Sequence, residues 1–530
     1  MTPSRKSTLK RFLPILSCRA LANVRTLIAF LEALYEEPTG VASDGVHPDY
    51  GVMPHFSPIG LTHSIDLSGA ARNAAGGLFS RLAALIERAY GVAGLKISAS
   101  HALRSNIDGQ AGLFVHRMVA SGGGRYPADL SLWIPAWASN CGSAWRGRAF
   151  AYAPHYARLF ELPLAASESI SRTEFPVEDD AVVLAISLDF YRTYPKYREF
   201  TYRLSAVDTG LLLGRITRLA GPEWTVKIDF DLNAELQQRI LGRDTDRYPI
   251  YALITLRFRG PTSRHDEIWP RLEEHAPIGM LDATAPLPAP QSYFSGHFLH
   301  AHRMAQGAPT NTTHGTGSAT MAVGPRSEEF GDPDESSHGI FRQSRAHAFT
   351  GLSLDRHILE RCVKAMMHAR AAMIGAASGQ ATASPPLLIT VLNVDGVERG
   401  LYAVNEGSDE LQRIAALDQP EKLSVAQYGK TFDIQKAGFV VHVTGHVECL
   451  LKGARGVREF RVREMVNGAT LEAGIAVCAA RDVTAHPYLG FSSRRVKDFY
   501  RLNDSKLRVM SQLCVGRVSD SAYLYYPFQC

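Results

Sequence analysis

The 530-residue sequence has no apolar run long enough to cross a membrane and no closely spaced pair of cysteines. Its seven cysteines stand singly, which favours reduced thiols in a reducing compartment over a disulfide framework. The 57 basic and 52 acidic residues are spread along the chain and lack the concentrated basic face of a nucleic-acid-binding protein. We therefore expect a cytoplasmic globular protein of several domains, with no nucleic-acid or membrane partner.

The N-terminus, MTPSRKSTLKRFLPILSC, superficially resembles a secretion or lipoprotein signal. Its apolar core, FLPIL, is shorter than the roughly seven residues that a signal needs, and Pro14 interrupts it. We interpret the segment as the start of a cytoplasmic protein and keep a lipoprotein as the alternative.

Apolar periodicity predicts several elements in the first half of the chain. Helices are expected at 19–37, 77–92, 203–220 and 232–241, and strands at 129–137 and 181–190. Residues 261–337 are rich in Pro, Gly, Ser, Thr and His and have little periodicity, so we expect a linker or a lid there. The histidines of HFLHAHR have no nearby carboxylate or cysteine at ligand spacing, and no metal site is expected.

Features of the first half recur in the second half at a nearly constant offset. REFTYR begins at Arg198 and REFRVR begins 260 residues later. Phe230 in KIDFDLNAELQQRILGRD matches Phe491 in YLGFSSRRVKDFYRLND, 261 residues later. FAYAPHYARLFEL (150–162) also resembles LYAVNEGSDELQRI (401–414), and each predicts a strand, a polar turn and a short helix. The pattern indicates a tandem duplication of a domain of about 200 residues.

The two halves differ in three short segments. The first half has Lys196-Tyr197, where the offset of 260 places a Gly-Val pair in the second half. It also has RMVASGGGRYPADL (117–130), whose glycines let backbone N–H groups approach a ligand. The second half opens with FRQSRAHAF (341–349), whose arginines and serine before a predicted helix suit a phosphate. Singly, each segment has an ordinary alternative as a turn or a solvated strand end; together they indicate one composite site.

In combination these motifs resemble the nitroreductase-like FMN flavoproteins, and within them the SagB-type azoline dehydrogenases that act on ribosomally made peptides. The resemblance implies an α+β fold of tandem nitroreductase-like domains, with mixed or antiparallel sheets flanked by helices, forming an internal pseudo-dimer. The expected divisions are 1–62 for an N-terminal substrate-contact region, 63–260 for the first domain, 261–337 for the linker or lid, and 338–530 for a degenerate second domain.

The resemblance also implies one FMN per chain, held between the halves. The family's phosphate-contacting segment and late basic position correspond to Arg342, Ser344, Arg345 and Arg517. The turn that lies along the flavin ring in the family corresponds to Arg117, Ser121, Gly122, Gly123 and Arg125. The Lys-Tyr pair that carries the family's chemistry corresponds to Lys196 and Tyr197, which are the expected catalytic residues.

The implied reaction oxidises a thiazoline or oxazoline to the thiazole or oxazole in a precursor peptide that cyclodehydratase partner enzymes have modified. Flavin takes a hydride from the ring, a base takes a proton, and O2 reoxidises the flavin. Because tyrosine has an ordinary pKa of about 10, we expect the Lys196 ammonium to lower the pKa of Tyr197 and favour the phenolate. Adjacent side chains on a strand point apart, so the pair needs a turn to converge.

Two alternatives stay open. The first is FMN-dependent oxidation of another peptide or carrier-bound natural-product intermediate. The second is a flavin-free scaffold that binds a peptide and its modifying enzymes. A visible absorbance spectrum of the purified protein separates the flavoproteins from the scaffold.

Overall fold

The computed structural model describes residues 29–35, 63–71, 77–98, 112–162, 170–230, 232, 234–260, 269–274, 294–307, 320–321, 349–378, 384–405, 407–408, 410–428, 432–446, 454–502, 506–519 and 524–527. The helices are α1 (29–35), α2 (Ser68–Ala71), α3 (Leu78–Tyr90), α4 (Tyr194–Tyr197), α5 (Thr201–Ala220), α6 (Ala234–Leu241), α7 (Gly296–Gly307), α8 (Arg356–Ser378), α9 (Glu421–Val425), α10 (Ala454–Ala479) and α11 (Ser493–Phe499).

The strands fall into the two halves of the chain. Those of the first half are β1 (His63–Asp66), β2 (Val92–Ser98), β3 (Gly112–Arg117), β4 (Ala128–Trp133), β5 (Ala149–Ala153), β6 (Arg158–Glu161), β7 (Ala181–Leu188), β8 (Trp224–Asp229) and β9 (Ile250–Phe258). Those that follow are β10 (Glu273–Glu274), β11 (Thr320–Met321), β12 (Leu387–Val391), β13 (Gly400–Val404), β14 (Gln412–Ala416), β15 (Phe439–His446), β16 (Thr484–Tyr488), β17 (Leu507–Gly516) and β18 (Leu524–Pro527).

The elements predicted in the first half are present, with shifted ends. Helices predicted at 77–92 and 203–220 correspond to α3 and α5. The predicted strand 129–137 ends at Trp133, because Pro135 has no N–H to donate and begins a turn in which Ala138 N donates to Pro135 O at 3.0 Å. Of the helix predicted at 19–37, only 29–35 lies within the described residues.

Three antiparallel sheets organise the described chain. The first has nine strands in the order β10-β1-β6-β5-β4-β7-β9-β8-β11, and the second has six in the order β14-β13-β12-β15-β17-β16. The third has the order β18-β2-β3. Because β18 pairs with β2, a strand at the end of the second half completes a sheet of the first half.

The two large sheets repeat one topology. The order β6-β5-β4-β7-β9-β8 in the first sheet has the same connections as β14-β13-β12-β15-β17-β16 in the second. A long helix, α5 or α10, lies between corresponding strands of each half, and a short helix, α6 or α11, precedes the ninth or seventeenth strand. This repeated order is the one that a tandem duplication produces, and it makes the chain an internal pseudo-dimer.

One sequence interpretation of the repeat is wrong. Residues 150–162 and 401–414 were expected to end in short helices, but each ends in a strand. In the first half β6 pairs with β5, and in the second half β14 pairs with β13. Each pair forms a hairpin whose hydrogen bonds satisfy the backbone groups that a helix would otherwise have paired internally.

Glycines allow α5 and α10 to cross at very short range. A Cβ at Gly468 would lie 2.7 Å from Leu211 N and 2.8 Å from Gly210 Cα. A Cβ at Gly214 would likewise lie 2.8 Å from Ala469 Cα. Only glycine fits at such a crossing, so these positions set the distance between the two halves.

Two buried ion pairs cross the same interface. Arg203 Nε lies 3.4 Å from Glu464 Oε1, and Arg215 Nη1 lies 3.2 Å from Glu472 Oε1. The hydroxyl of Tyr35 in α1 donates to Glu464 Oε1 at 2.6 Å. Removing one partner of a buried pair leaves an uncompensated charge and costs about 3–5 kcal/mol. The two halves and α1 are therefore linked by charge as well as by packing.

The stretch predicted as a linker or lid contains a packed helix. Phe298, Ala301 and His302 of α7 are buried in the core, and His302 Nε2 lies 3.1 Å from Thr245 O. Within the described ranges no group of three or more His, Cys, Asp or Glu residues could hold a metal ion. Among the helices described above, none has both the length and the apolar character needed to span a membrane. The four cysteines within the described ranges are buried and form no disulfide (Cys141, Cys362, Cys478 and Cys514).

Candidate active site

Lys196 and Tyr197 lie in the short helix α4, which follows β7. Pro195 occupies the first turn of α4, where a missing N–H is tolerated, and the N–H groups of Lys196 and Tyr197 donate to Thr193 O at 3.1 and 2.9 Å. The chain then bends at Arg198, whose φ of +46° is uncommon for a residue other than glycine. The sequence predicts that a turn brings the Lys196 and Tyr197 side chains together, and in the structure this turn is the helix α4.

The glycine turn of the first half touches this pair. Gly122–Gly124 form a 3-10 turn in which Gly123 and Gly124 have φ of +61° and +67°. A Cβ at Gly123 would lie 2.7 Å from Lys196 Nζ and would also collide with the Tyr197 hydroxyl. The glycine turn and the Lys-Tyr pair, which the sequence predicted as two separate motifs, thus meet at one exposed stretch of backbone.

Asp208 of α5 fixes the turn in place. Ser121 Oγ donates to Asp208 Oδ2 at 2.6 Å, and Gly122 N–H donates to the same carboxylate at 3.2 Å. Ser121 Oγ also accepts from Tyr126 N at 2.8 Å. These two donors serve the turn itself, and contact of Ser121 or Gly122 with a cofactor stays a prediction. Asp208 was not among the residues predicted from the sequence, although an aspartate inside the apolar run LSAVDTGLLL is a signal.

The electrostatic expectation for the pair is wrong in its direction. Burial raises the pKa of Tyr197, Asp208 raises it further, and Arg125 opposes the rise. Lys196 Nζ lies over the tyrosine ring, 5.1 Å from its centroid. Burial, followed by the charge of Arg125, lowers the pKa of Lys196. Both shifts favour the neutral form of the side chain, the amine of Lys196 and the phenol of Tyr197.

Tyr488 is the residue of the second half that acts on the Lys196-Tyr197 pair. This tyrosine ends β16 and acts electrostatically on Tyr197. Its hydroxyl donates to Tyr428 O at 2.5 Å, and its ring centroid lies 5.3 Å from that of Phe432. Phe432 in turn lies 6.2 Å from Phe349. Aromatic side chains thus extend from the Lys196-Tyr197 pair to the start of the described second half.

Phe349 is the first described residue after the segment that was predicted to bind phosphate. Arg342, Ser344 and Arg345 lie outside the described residues, and their contacts stay predictions. Phe349 forms a bridge with Val518, and Thr350 N donates to the backbone oxygen of Arg517 at 3.0 Å.

Two exposed basic residues, Arg517 and Lys436, contact the chain just after Phe349. Arg517 Nε donates to Ser353 O at 3.2 Å. Lys436, which sequence analysis missed, accepts from Gly351 N through its backbone oxygen at 3.1 Å. Both residues therefore contact the chain between Thr350 and Ser353, where the described part of the second half begins.

The two remaining predicted cofactor residues differ in position. Arg125 is partly buried, and burial lowers its pKa while Tyr197 opposes the change, which places its charge beside the pair. Arg117 is buried, and its guanidinium lies 4.5 Å from the ring centroid of Tyr90 and 4.8 Å from that of Tyr126. Its predicted contact with a cofactor stays untested, because the structure brings it to these rings rather than to Lys196.

Substitution of neighbouring glycines separates backbone strain from the site. Gly123→Ala is expected to reduce turnover about 100-fold, because its methyl group collides with Lys196 and Tyr197 and a displacement of about 1 Å can have such an effect. Gly124→Ala has the same left-handed strain but meets no atom within 4 Å, and it should keep most of the activity. Steady-state kinetics of both variants check this; equal losses would contradict a specific role for Gly123.

Comparisons of structure identify the fold. No family description and no curated protein matches the sequence. The crystal structure of a candidate nitroreductase from Anabaena variabilis aligns over 93% of this chain and 99% of its own, with 16% identity and a TM-score of 0.69. The fold class predicted from sequence is confirmed: the chain has an α+β nitroreductase-like fold with antiparallel sheets flanked by helices.

Two shorter matches cover about a third of the chain. A candidate nitroreductase from Ralstonia eutropha aligns over 36% of this chain and 89% of its own, with 18% identity and a TM-score of 0.27. The E. coli microcin synthetase McbBCD complex with truncated pro-MccB17 bound aligns over 35% of this chain and 73% of its own, with 16% identity and a TM-score of 0.27. At TM-scores this low, neither match bears on function.

Proposed function

We propose that this protein is an FMN-dependent oxidoreductase that binds one flavin between its two halves. The observation that carries the proposal is the contact of the first-half glycine turn with Lys196 and Tyr197, beside Tyr488 of the second half. A nitroreductase-like pseudo-dimer with a single such turn favours one composite site per chain.

The residues present suit FMN. The exposed backbone at Gly123 has no side chain to obstruct a planar ring, and Tyr488 supplies an aromatic surface beside it. Arg517 and Lys436 supply cations for a phosphate, and we assign Arg342, Ser344 and Arg345 to the same group. Bound FMN would supply a two-electron acceptor for hydride.

The substrate that we propose is a thiazoline or oxazoline ring in a ribosomally made peptide, delivered after cyclodehydratase partners have formed the ring. Aromatisation of the ring requires removal of a proton together with a hydride, whereas reduction of a nitro group needs no such base. Lys196, with a pKa lowered by burial, supports this choice. In the final step O2 would accept the electrons.

The protein groups have separate parts in this scheme. The neutral amine of Lys196 takes the proton from the ring carbon, and the Tyr197 phenol donates a hydrogen bond and orients the ring. Asp208 holds the glycine turn against the pair, since it accepts from both Ser121 and Gly122. Arg125 stabilises negative charge next to Tyr197.

A reaction with a synthetic azoline peptide tests the proposal. The purified protein is expected to show flavin absorbance with about one FMN per chain, and each ring should lose a pair of hydrogens on incubation. Absorbance and mass spectrometry of the peptide are the measurements. A colourless protein that does not take up added FMN would favour the scaffold, and a flavoprotein that leaves azolines unchanged would favour another peptide or carrier-bound substrate.

A further inference from the structure

A cluster of polar side chains is enclosed in the core where four elements meet. The Arg461 cluster consists of Arg461 from α10, Tyr202 from α5, Tyr251 from β9 and His302 from α7. The exposed fraction of Arg461 is 1%, and that of the other three side chains is 0%. None of these residues belongs to the catalytic pair or to the glycine turn.

These side chains face one another. Arg461 Cζ lies 4.3 Å from the ring centroid of Tyr251. Burial raises the pKa of Tyr202 to about 12, with Arg461 opposing the rise. Burial lowers the pKa of His302 to about 4, and Arg461 contributes to the decrease, so the imidazole is neutral at pH 7. The charge of Arg461 thus acts on every other member of the cluster.

Three members of the cluster have polar atoms without a hydrogen-bond partner. These atoms are Arg461 Nε and Nη1, the hydroxyl oxygen of Tyr202, and His302 Nδ1. The hydroxyl of Tyr251 interacts with the Arg461 guanidinium. Nearly all buried polar groups in native proteins have a hydrogen-bond partner. Several unpartnered polar atoms at one place therefore indicate that a bound partner is missing there. Because His302 Nε2 lies 3.1 Å from Thr245 O, that nitrogen carries the proton and Nδ1 is an acceptor. The other atoms of the set belong to donor groups.

The cluster also has an unbalanced positive charge. Among the described residues, no carboxylate forms an ion pair with Arg461, whereas Arg203 and Arg215 at the same interface each have a glutamate. When Gly210 is matched with Gly468 at the helix crossing, Arg461 corresponds to Arg203, and Ala206 stands where Glu464 stands in the other half. Both halves thus have the arginine, and one half has the acid.

A second cation strengthens the positive potential. Arg458, one turn earlier on α10, has a pKa that burial and the neighbouring Arg461 lower to about 10, with Asp229 opposing the change. Its Nε donates to Ala305 O at 3.2 Å. A neutral water would satisfy donors at this place but would leave the charge of Arg461 uncompensated, whereas an anion supplies both acceptors and charge.

We infer that the Arg461 cluster binds a small inorganic anion, of which chloride is the simplest, between the two halves of the chain. The Arg461 N–H groups and the hydroxyls of Tyr202 and Tyr251 donate to it, while His302 Nδ1 accepts from a hydroxyl or a water. The site is structural and independent of the proposed oxidoreductase activity. Since its members are enclosed, the anion is taken up when the halves assemble and is released on unfolding.

Chloride dependence of thermal unfolding tests the inference. The unfolding temperature of the full-length protein should be about 2–4 °C higher in sodium chloride than in sodium gluconate at equal ionic strength, because an ion that binds only the folded state stabilises that state by mass action. After exhaustive dialysis against gluconate, ion chromatography of the unfolded protein should detect an equimolar amount of chloride.

Two variants make the test specific. Arg461→Met should abolish the difference between the salts and should not be less stable than the parent in gluconate, because it removes an uncompensated charge. Arg455→Met, on the exposed face of the same helix, should keep the chloride response. If Arg461→Met does not fold, Tyr251→Phe should reduce the response. An unchanged response in these cluster variants, or dialysed protein free of chloride, would overturn the inference.

Discussion

Lys196→Ala is expected to lower turnover of an azoline peptide by about 10²–10⁴-fold, the usual contribution of a general base, while the protein keeps its FMN. Lys196 is partly buried, its pKa is lowered by burial and by Arg125, and its Nζ lies at the exposed backbone of Gly123. Anaerobic single-turnover bleaching of the flavin measures the chemical step, and absorbance measures bound FMN. Full activity would remove the proposed role, and loss of FMN would mean that the lysine is structural.

The pH dependence distinguishes the two members of the pair. A lysine base acts in its neutral form, so the rate should rise with pH through the pKa of Lys196, which lies below the ordinary value of 10.5. Tyr197→Phe should lower the rate and keep this rise, because the phenol donates a hydrogen bond without losing its proton. A rise that disappears in Tyr197→Phe would assign the base to the tyrosine. Lys422→Ala, at an exposed position, is the control and should match the parent protein.

Gly468→Ala is expected to lower the free energy of unfolding by about 2–4 kcal/mol. The added methyl group would collide with the carbonyl oxygen of Val207 and would lie 2.8 Å from Gly210 Cα, where no flexible side chain can yield. The buried Arg203–Glu464 pair resists separation of the two helices. Denaturant unfolding followed by circular dichroism gives the change.

Gly375→Ala is the matched control for this substitution. Gly375 lies inside α8, and a Cβ there meets no atom within 4 Å. Alanine should therefore stabilise the helix by about 0.5–1 kcal/mol. If Gly468→Ala were as stable as Gly375→Ala, the short helix crossing would be wrong, and with it the geometry of the interface between the halves.

Sequence patterns predicted helices and strands correctly where the local apolar periodicity agreed with the packing of the whole fold. The helix α5 and the strand β7 have long apolar patterns with clear ends. The motif at Arg198 that recurs at Arg458 indicated the repeat but gave an offset of 260, whereas Gly210 and Gly468 at the helix crossing match the halves at an offset of 258. The segments at 150–162 and 401–414 were misassigned in part, because short runs without a clear period fit a helix or a strand equally well. Their identity is decided by pairing with neighbouring strands.

The candidate site was predictable only in its parts. Sequence identified the glycine turn and the Lys-Tyr pair, but the predicted direction of the pKa shift of Tyr197 was wrong because burial and the Asp208 carboxylate raise the pKa and outweigh Arg125. Asp208 lies 87 residues from Ser121 in sequence, and Tyr488 belongs to the other half. Contacts of this kind follow from the packing of distant elements and leave no local pattern.

The pairing of β18 with β2 has a consequence for biosynthesis. On the ribosome β18 is translated about 430 residues after β2, which corresponds to roughly 20–90 s at ordinary elongation rates. Throughout that interval the nascent β2–β3 hairpin has an open edge, which is a site for pairing with other chains. A chaperone that shields this hairpin during translation would protect the protein until its own distal strand arrives.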